Sequence, residues 1–261
     1  MMAERASRLL FALSLASMAG AASAQSDTPW NGGYLGMNLG EASTNACNSW
    51  TAGGTAFDIR NCPGSTFVGG VQIGDNFQYK RLVWGLEADL DIWRGGNRSG
   101  TVRYAGAALP PGTYSASGRL VPGDFAIIAP RIGYAGVLWM PYVTAGFITP
   151  LGSRNTTLNY LPVGAAIPTA SFSGGKNYAT GGWVAGGGAE WGLNGPWSIK
   201  AEYLHVNLGA GSNSTAGCSN IPSAPGTCAG FSGTTLDSNH NGFSANMFRI
   251  GINYWFSYWG P

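Results

Sequence analysis

The chain has 261 residues, 42 of them glycine, with only 14 Lys and Arg against 12 Asp and Glu and a formal net charge of +2. Glycine at about 16% is more than twice its usual share, and 10 Trp, 11 Tyr and 11 Phe with so little net charge exclude a disordered chain. No run of Lys and Arg offers a nucleic-acid surface, so nucleic acid is not expected as a partner. Low charge, much glycine and many Trp and Tyr suit a β protein with an apolar outside.

The first residues read as an export signal. Arg5 and Arg8 precede the apolar run Leu9–Ala19, and Ala22-Ser23-Ala24 stands before Gln25 as an A-x-A cleavage site. Residues 1–24 are therefore expected to be a secretory signal peptide and residues 25–261 a single mature domain. Beyond Ala24 no stretch approaches the ~18 apolar residues of a membrane helix; Val137–Tyr142 is short and contains Pro141. A spanning β-barrel stays open, because its apolar face is hidden in alternation.

Four cysteines agree with export. Cys47 and Cys62, and Cys218 and Cys228, each lie in a segment rich in Ser, Thr, Asn, Gly and Pro. Four cysteines allow three connectivities, of which two local bridges, Cys47–Cys62 and Cys218–Cys228, are simplest. A zinc site is the alternative, but neither C-x-x-C nor a neighbouring His pair is present.

Period-2 segments follow in order. Leu35, Met37 and Leu39 alternate with Tyr34, Gly36, Asn38 and Gly40; Val71, Ile73 and Phe77 alternate with Gln72, Gly74, Asn76 and Gln78. The clearest segment sets Leu82, Trp84, Leu86, Ala88, Leu90 and Ile92 against a face that holds Glu87, Asp89 and Asp91, a pattern no helix produces. Ile128, Ile132 and Tyr134 then oppose Arg131, and Val143, Ala145 and Phe147 oppose Thr144 and Gly146. Trp183, Ala185, Ala189 and Trp191 oppose Glu190; Trp197, Ile199, Ala201 and Tyr203 oppose Lys200 and Glu202; Phe248, Ile250, Ile252 and Tyr254 oppose Arg249. Eight strands result.

Their connections alternate in length. Brief turns lie near Tyr79–Arg81, Gly136–Met140 and Leu193–Pro196, while polar stretches of roughly Ala42–Gly64, Arg94–Gly123, Pro150–Asn177 and Ala210–Gly242 read as long loops. Such loops are foreign to a compact soluble domain and normal on the outer side of an outer-membrane barrel. A β-sandwich would pack its apolar faces together and gives no reason for Tyr79, Trp84, Tyr134, Tyr142, Trp191, Trp197 and Tyr254 to gather beside the turns and the C-terminus. A membrane interface selects such a girdle. The fold class expected is all-β: an eight-stranded antiparallel up-and-down transmembrane barrel with short periplasmic turns and long extracellular loops.

Several motifs carry a resemblance: Trp30-Asn31-Gly32-Gly33-Tyr34-Leu35-Gly36, Gly69-Gly70-Val71-Gln72-Ile73-Gly74, Trp84-Gly85-Leu86-Glu87-Ala88-Asp89-Leu90 and Arg131-Ile132-Gly133-Tyr134-Ala135. Pro141-Tyr142-Val143-Thr144-Ala145-Gly146, the run from Gly182 to Glu190, Trp197–Leu204 and Phe248–Tyr254 continue it. In this ordered series the chain resembles the small outer-membrane surface proteins of the OmpA-like transmembrane barrel type, especially the alphaproteobacterial porin-family outer-membrane β-barrel proteins. The resemblance implies an integral outer-membrane protein with both termini periplasmic and a role in envelope integrity and loop display. It further implies outer-membrane lipid and lipopolysaccharide as surroundings and the barrel-insertion machinery as an assembly partner. An extracellular ligand held by the loops stays open. Four features depart from the pattern: Asp75 in the outward register, His205 where Tyr is common, Pro130 inside a strand, and the tail Ser257–Pro261 beyond Phe256.

No catalytic, cofactor or metal residues are expected. His205 and His240 are the only histidines, and an acyl-transfer site would need a base beside a serine, for which Ser244 near His205 is the one candidate. Gly186-Gly187-Gly188 lacks the spacing of a phosphate loop. The informative polar set is the inward one. Glu87, Asp89, Asp91, Glu190 and Glu202 face Arg131, Lys200 and Arg249, with Gln72, Asn76 and Gln78 among them. An eight-stranded barrel is just wide enough for side chains to fill, and buried carboxylates demand partners. Either this network plugs the barrel, or it lines a narrow pore that prefers cations.

Overall fold

The computed structural model describes residues 30–44, 48–52, 55–61, 64–95, 97–104, 110–119, 123–165, 169–177, 181–193, 195–208, 214–220, 228, 236–240 and 243–256. The expected signal peptide, the cysteines 47 and 62, and the tail 257–261 lie outside them. Sixteen strands occur among the described residues: β1 (Gly32–Thr44), β2 (Asn48–Ala52), β3 (Thr55–Asn61), β4 (Ser65–Tyr79), β5 (Leu82–Arg94), β6 (Asn97–Tyr104), β7 (Gly112–Arg119) and β8 (Asp124–Tyr134). They continue with β9 (Trp139–Pro150), β10 (Ser153–Pro162), β11 (Ala170–Asn177), β12 (Gly182–Gly192), β13 (Trp197–Asn207), β14 (Ser214–Asn220), β15 (Leu236–His240) and β16 (Ser244–Trp255).

The fold is all-β. A closed antiparallel barrel runs β1-β4-β5-β8-β9-β12-β13-β16 and back to β1, the eight strands read from the alternation. Closure comes from β1, which pairs with β4 from Gly32↔Asn76 and with β16 from Tyr34↔Trp255. A closed ladder leaves no backbone edge in lipid, the condition for crossing a bilayer with strands. The outward face of β5 is apolar from Leu82 to Ile92; ten steps of roughly 3.4 Å, tilted by about 40°, span roughly 26 Å, the height of a bilayer's apolar band. Above it the wall turns polar, with an exposed Arg94–Asp124 ion pair at 3.1 Å.

The stretches read as long loops are not irregular. They hold the hairpins β2–β3, β6–β7, β10–β11 and β14–β15, joined in an eight-stranded second sheet ordered β3-β2-β15-β14-β11-β10-β7-β6. That order repeats the order of the barrel strands that each one continues, so the wall is carried past the apolar band as a second storey. Among the described residues no ladder joins its two ends, β3 and β6, which stand above the paired β4 and β5. Water on the outside removes the need for an apolar outward face, so Ser, Thr, Asn and Gly fill strands whose alternation is invisible in sequence. On its buried face the storey has a small core of Tyr114, Leu158, Tyr160, Ala170 and Phe172.

Three of the departures find a place. Asp75 pairs with Gly33 and with Leu86 in unbroken register; no bulge turns it, and it stands one pair from the start of β1. At Pro130 the β8–β9 ladder skips from Ile128↔Phe147 to Arg131↔Thr144, and the Thr144 hydroxyl donates to the Pro130 carbonyl at 3.0 Å. His205 lies on the outer wall, against the Trp183 ring.

Candidate functional site: the filled lumen

Inside the barrel the side chains form three layers. At the turn end Trp30, Tyr34, Val83, Met140, Tyr142 and Trp255 close the lumen; Tyr34 and Trp255 have ring centroids 4.8 Å apart. At the hairpin end an apolar layer surrounds Trp93, which meets Phe125 and Phe243 edge-on at 5.6 and 5.3 Å. Between them lie the charges. Tyr142 was expected on the outer girdle and is a correction: Val143, Ala145 and Phe147 face outward on β9, so by parity Tyr142 faces the lumen, where it is buried.

All eight charged residues singled out in the sequence stand in this middle layer, each at most 6% exposed. Arg249 on β16 reaches Asp91 at 2.7 Å and Asp89 at 3.0 Å on β5, and Glu202 on the neighbouring β13. Lys200 on β13 crosses to Glu87 on β5, four strands away on the opposite wall, at 2.7 Å. Arg131 holds Glu190 at 3.2 Å and Glu87 at 3.5 Å. Its guanidinium also lies 4.6 Å from the Tyr34 ring centroid and 5.3 Å from that of Tyr142. Five carboxylates thus share three cations. Neutral donors meet part of what remains: the Tyr34 hydroxyl on Glu87 at 2.6 Å, that of Tyr142 on Glu202 at 3.0 Å, and Asn253 on Glu190 at 2.8 Å. Oδ1 of Asp89 and Oδ1 of Asp91 are buried with no hydrogen-bond partner among the described residues.

Sequence reasoning missed these neutral partners, yet a signal for them exists. Tyr34 faces Gly74, and Gly74 in turn faces Glu87. With no Cβ at Gly74, the Tyr34 ring lies flat across β4 and reaches the carboxylate two strands away; a Cβ there would run into the ring. Gly188 stands in the same relation between Tyr142 and Glu202. Gly36 separates Gln72 from Asn253, and Gly85 separates Asn76 from Arg131, both hydrogen-bonded pairs. Inward glycines are therefore the gaps through which lumen residues meet, and they account for part of the glycine excess. Gln78 is not in the layer; its amide caps the β4–β5 turn by donating to the Lys80 carbonyl at 2.7 Å.

The other singled-out residues are spread apart. Cys218 and Cys228 form a disulfide, with Cα atoms 5.8 Å apart, against the hairpin-storey core; zinc is thereby overturned for this pair. His205 is level with Asn246, at 2.7 Å from its Oδ1, whereas Ser244 is level with Asn207. The register does not pair His205 with Ser244, and His240 stands in β15.

The family profile for the outer membrane protein beta-barrel domain matches residues 12–256. The chain belongs to the outer-membrane β-barrel protein family. It is 30% identical over 188 residues to the 31 kDa outer-membrane immunogenic proteins of Brucella melitensis and Brucella suis, covering 69% of this chain and 72% of each relative. The solved structure of Neisserial surface protein A aligns over 87% of this chain and 98% of its own, with 8% identity and a TM-score of 0.35. The outer membrane protease OmpT of Escherichia coli aligns over 90% and 100%, with 10% identity and a TM-score of 0.43. These two likenesses bear on neither activity nor ligand. Family and fold together make this an integral outer-membrane protein.

Proposed function

We propose that the protein is a sealed, non-enzymatic outer-membrane barrel that stabilises the envelope and displays its hairpin storey at the cell surface. The observation that carries the reading is the Lys200–Glu87 bridge across the full lumen, stacked between the Trp30/Trp255 layer and the Trp93 layer. A diffusion pore needs a continuous wet path, and three filled layers oppose it. In this reading residues 1–24 are removed on export, residues 25–261 are one domain, both termini and the short turns are periplasmic, and the hairpins are extracellular. A second bridge, Cys47–Cys62, fits the hairpin β2–β3, where the flanking Asn48 and Asn61 are register partners. Lipid and lipopolysaccharide surround the wall, the barrel-insertion machinery assembles it, and any extracellular ligand is met by the hairpins.

An epitope inserted between Cys218 and Cys228 tests display. Antibody should bind intact cells without permeabilisation. Binding only after the outer membrane is opened would reverse the orientation and end the display reading.

A further inference from the structure

The turn end of the barrel is uneven. The turn between β8 and β9 carries apolar residues, with Val137 84% and Leu138 61% exposed, and the β12–β13 turn Leu193–Pro196 is uncharged. In the β4–β5 turn, next to the β8–β9 turn, Lys80 and Arg81 form the whole connection, both exposed. Among the described residues neither forms an ion pair; Asp75 lies five residues from Lys80 along β4. Two uncompensated positive charges thus sit at the lipid boundary.

The pair is held in place. Lys80 takes a left-handed φ of 56°, the one non-glycine residue to do so among the described residues. Gln78 donates to the Lys80 carbonyl at 2.7 Å, and Gln78 itself accepts from the Trp30 amide at 3.0 Å. On the far side the Ala135 amide donates to the Arg81 carbonyl at 2.7 Å. The side chains lie over the girdle: Lys80 Nζ is 5.5 Å from the Tyr79 ring centroid, and Arg81 donates to the Tyr134 hydroxyl at 3.0 Å. Both tyrosines are exposed on the outer wall, where such rings mark the headgroup level.

We propose that Lys80 and Arg81, framed by Tyr79 and Tyr134, bind the phosphate of an anionic glycerophospholipid in the leaflet at the turn end. An ammonium and a guanidinium on consecutive residues, with no ion-pair partner among the described residues, match a phosphate diester at that depth. The apolar Val137–Leu138 turn beside it fits acyl chains at the same leaflet. The assignment to the inner leaflet rests on the orientation proposed above; the binding itself does not.

The test uses the refolded mature protein in mixed micelles with equal phosphatidylglycerol and phosphatidylcholine, and native mass spectrometry to count retained lipid. The parent should favour phosphatidylglycerol by about tenfold, given the attraction of each basic residue for an anionic surface, and the Lys80→Gln/Arg81→Gln double variant should fall to about parity. Lys80→Gln alone should lie between them and serves if the double variant fails the heat-modifiability check for folding. An unchanged preference in the double variant, or none in the parent, overturns the site. Excess inorganic phosphate should leave the lipid bound; displacement would mean a free-anion site and overturn the proposal as well. Orientation is read separately, by labelling a Val137→Cys variant with an impermeant thiol reagent: labelling in intact cells would refute the orientation while leaving the binding result standing.

Discussion

The barrel and the storey above it share one order of strands and solve opposite problems. In the bilayer the outside must be apolar, so polarity is driven inward and becomes a charge layer in which all three cations and five carboxylates are buried. Above the bilayer the outside is wet. There the buried face is a modest aromatic core around Tyr114, Tyr160 and Phe172, braced by Cys218–Cys228. The lesson is that one strand topology can be held by buried ion pairs below and by a small core and a covalent bridge above, according to the solvent on its outer face.

The largest blow to that contrast should come from Arg249, the one cation that forms ion pairs with Asp91 and Asp89 among the described residues and a partner of Glu202. Arg249→Ala leaves buried carboxylates without a counter-charge and is expected to lower barrel stability by about 3–5 kcal/mol, less wherever water enters; denaturant unfolding in detergent micelles reads it. Arg131→Ala should cost less, because Glu87 keeps Lys200 and Tyr34 while Glu190 keeps Ser198 and Asn253.

Next comes the gap rather than the charge. Gly74→Val pushes the Tyr34 ring off β4 and away from Glu87, at a cost of about 1–3 kcal/mol. The same unfolding assay, repeated in a Tyr34→Ala background, should show most of that loss vanish. An undiminished loss would mean that the glycine serves something other than the tyrosine.

Reducing Cys218–Cys228 should leave the barrel's heat-modifiability on gels unaltered, since no barrel pair depends on it. Loop entropy assigns a bridge of this span about 3 kcal/mol at most, all of it felt above the bilayer as faster proteolysis between β14 and β15. A barrel that loses heat-modifiability on reduction would merge the two storeys into one cooperative unit. The smallest effect belongs to the lipid face: Ile250→Val, outward on β16, should shift stability by under about 0.5 kcal/mol, because lipid is its solvent in both cases.

How much of this was legible follows the same divide. Leu82 to Ile92 could be read at sight because lipid outside and charge inside enforce strict alternation. That alternation also assigns Arg131, Lys200 and Arg249 to the lumen. The hairpins were not legible, since strands such as Ser153–Pro162 and Ala170–Asn177 carry Ser, Thr, Asn and Gly and show no apolar period. Tyr142 went astray for another reason: proximity to a turn suggested a girdle, while its parity with Val143 and Phe147 already pointed it inward. The neutral partners Tyr34, Tyr142 and Asn253 are specified by register across Gly74, Gly188 and Gly36, which a single strand read alone does not reveal.

The sealed lumen is tested most directly by the conductance of the refolded protein in a planar bilayer. Three filled layers predict a flat baseline for the parent at any salt composition. Steady, cation-selective steps from the parent, with Arg131→Ala and Arg249→Ala unfolding no more easily than it does, would mean a wet and open interior, and the protein would then be a narrow porin.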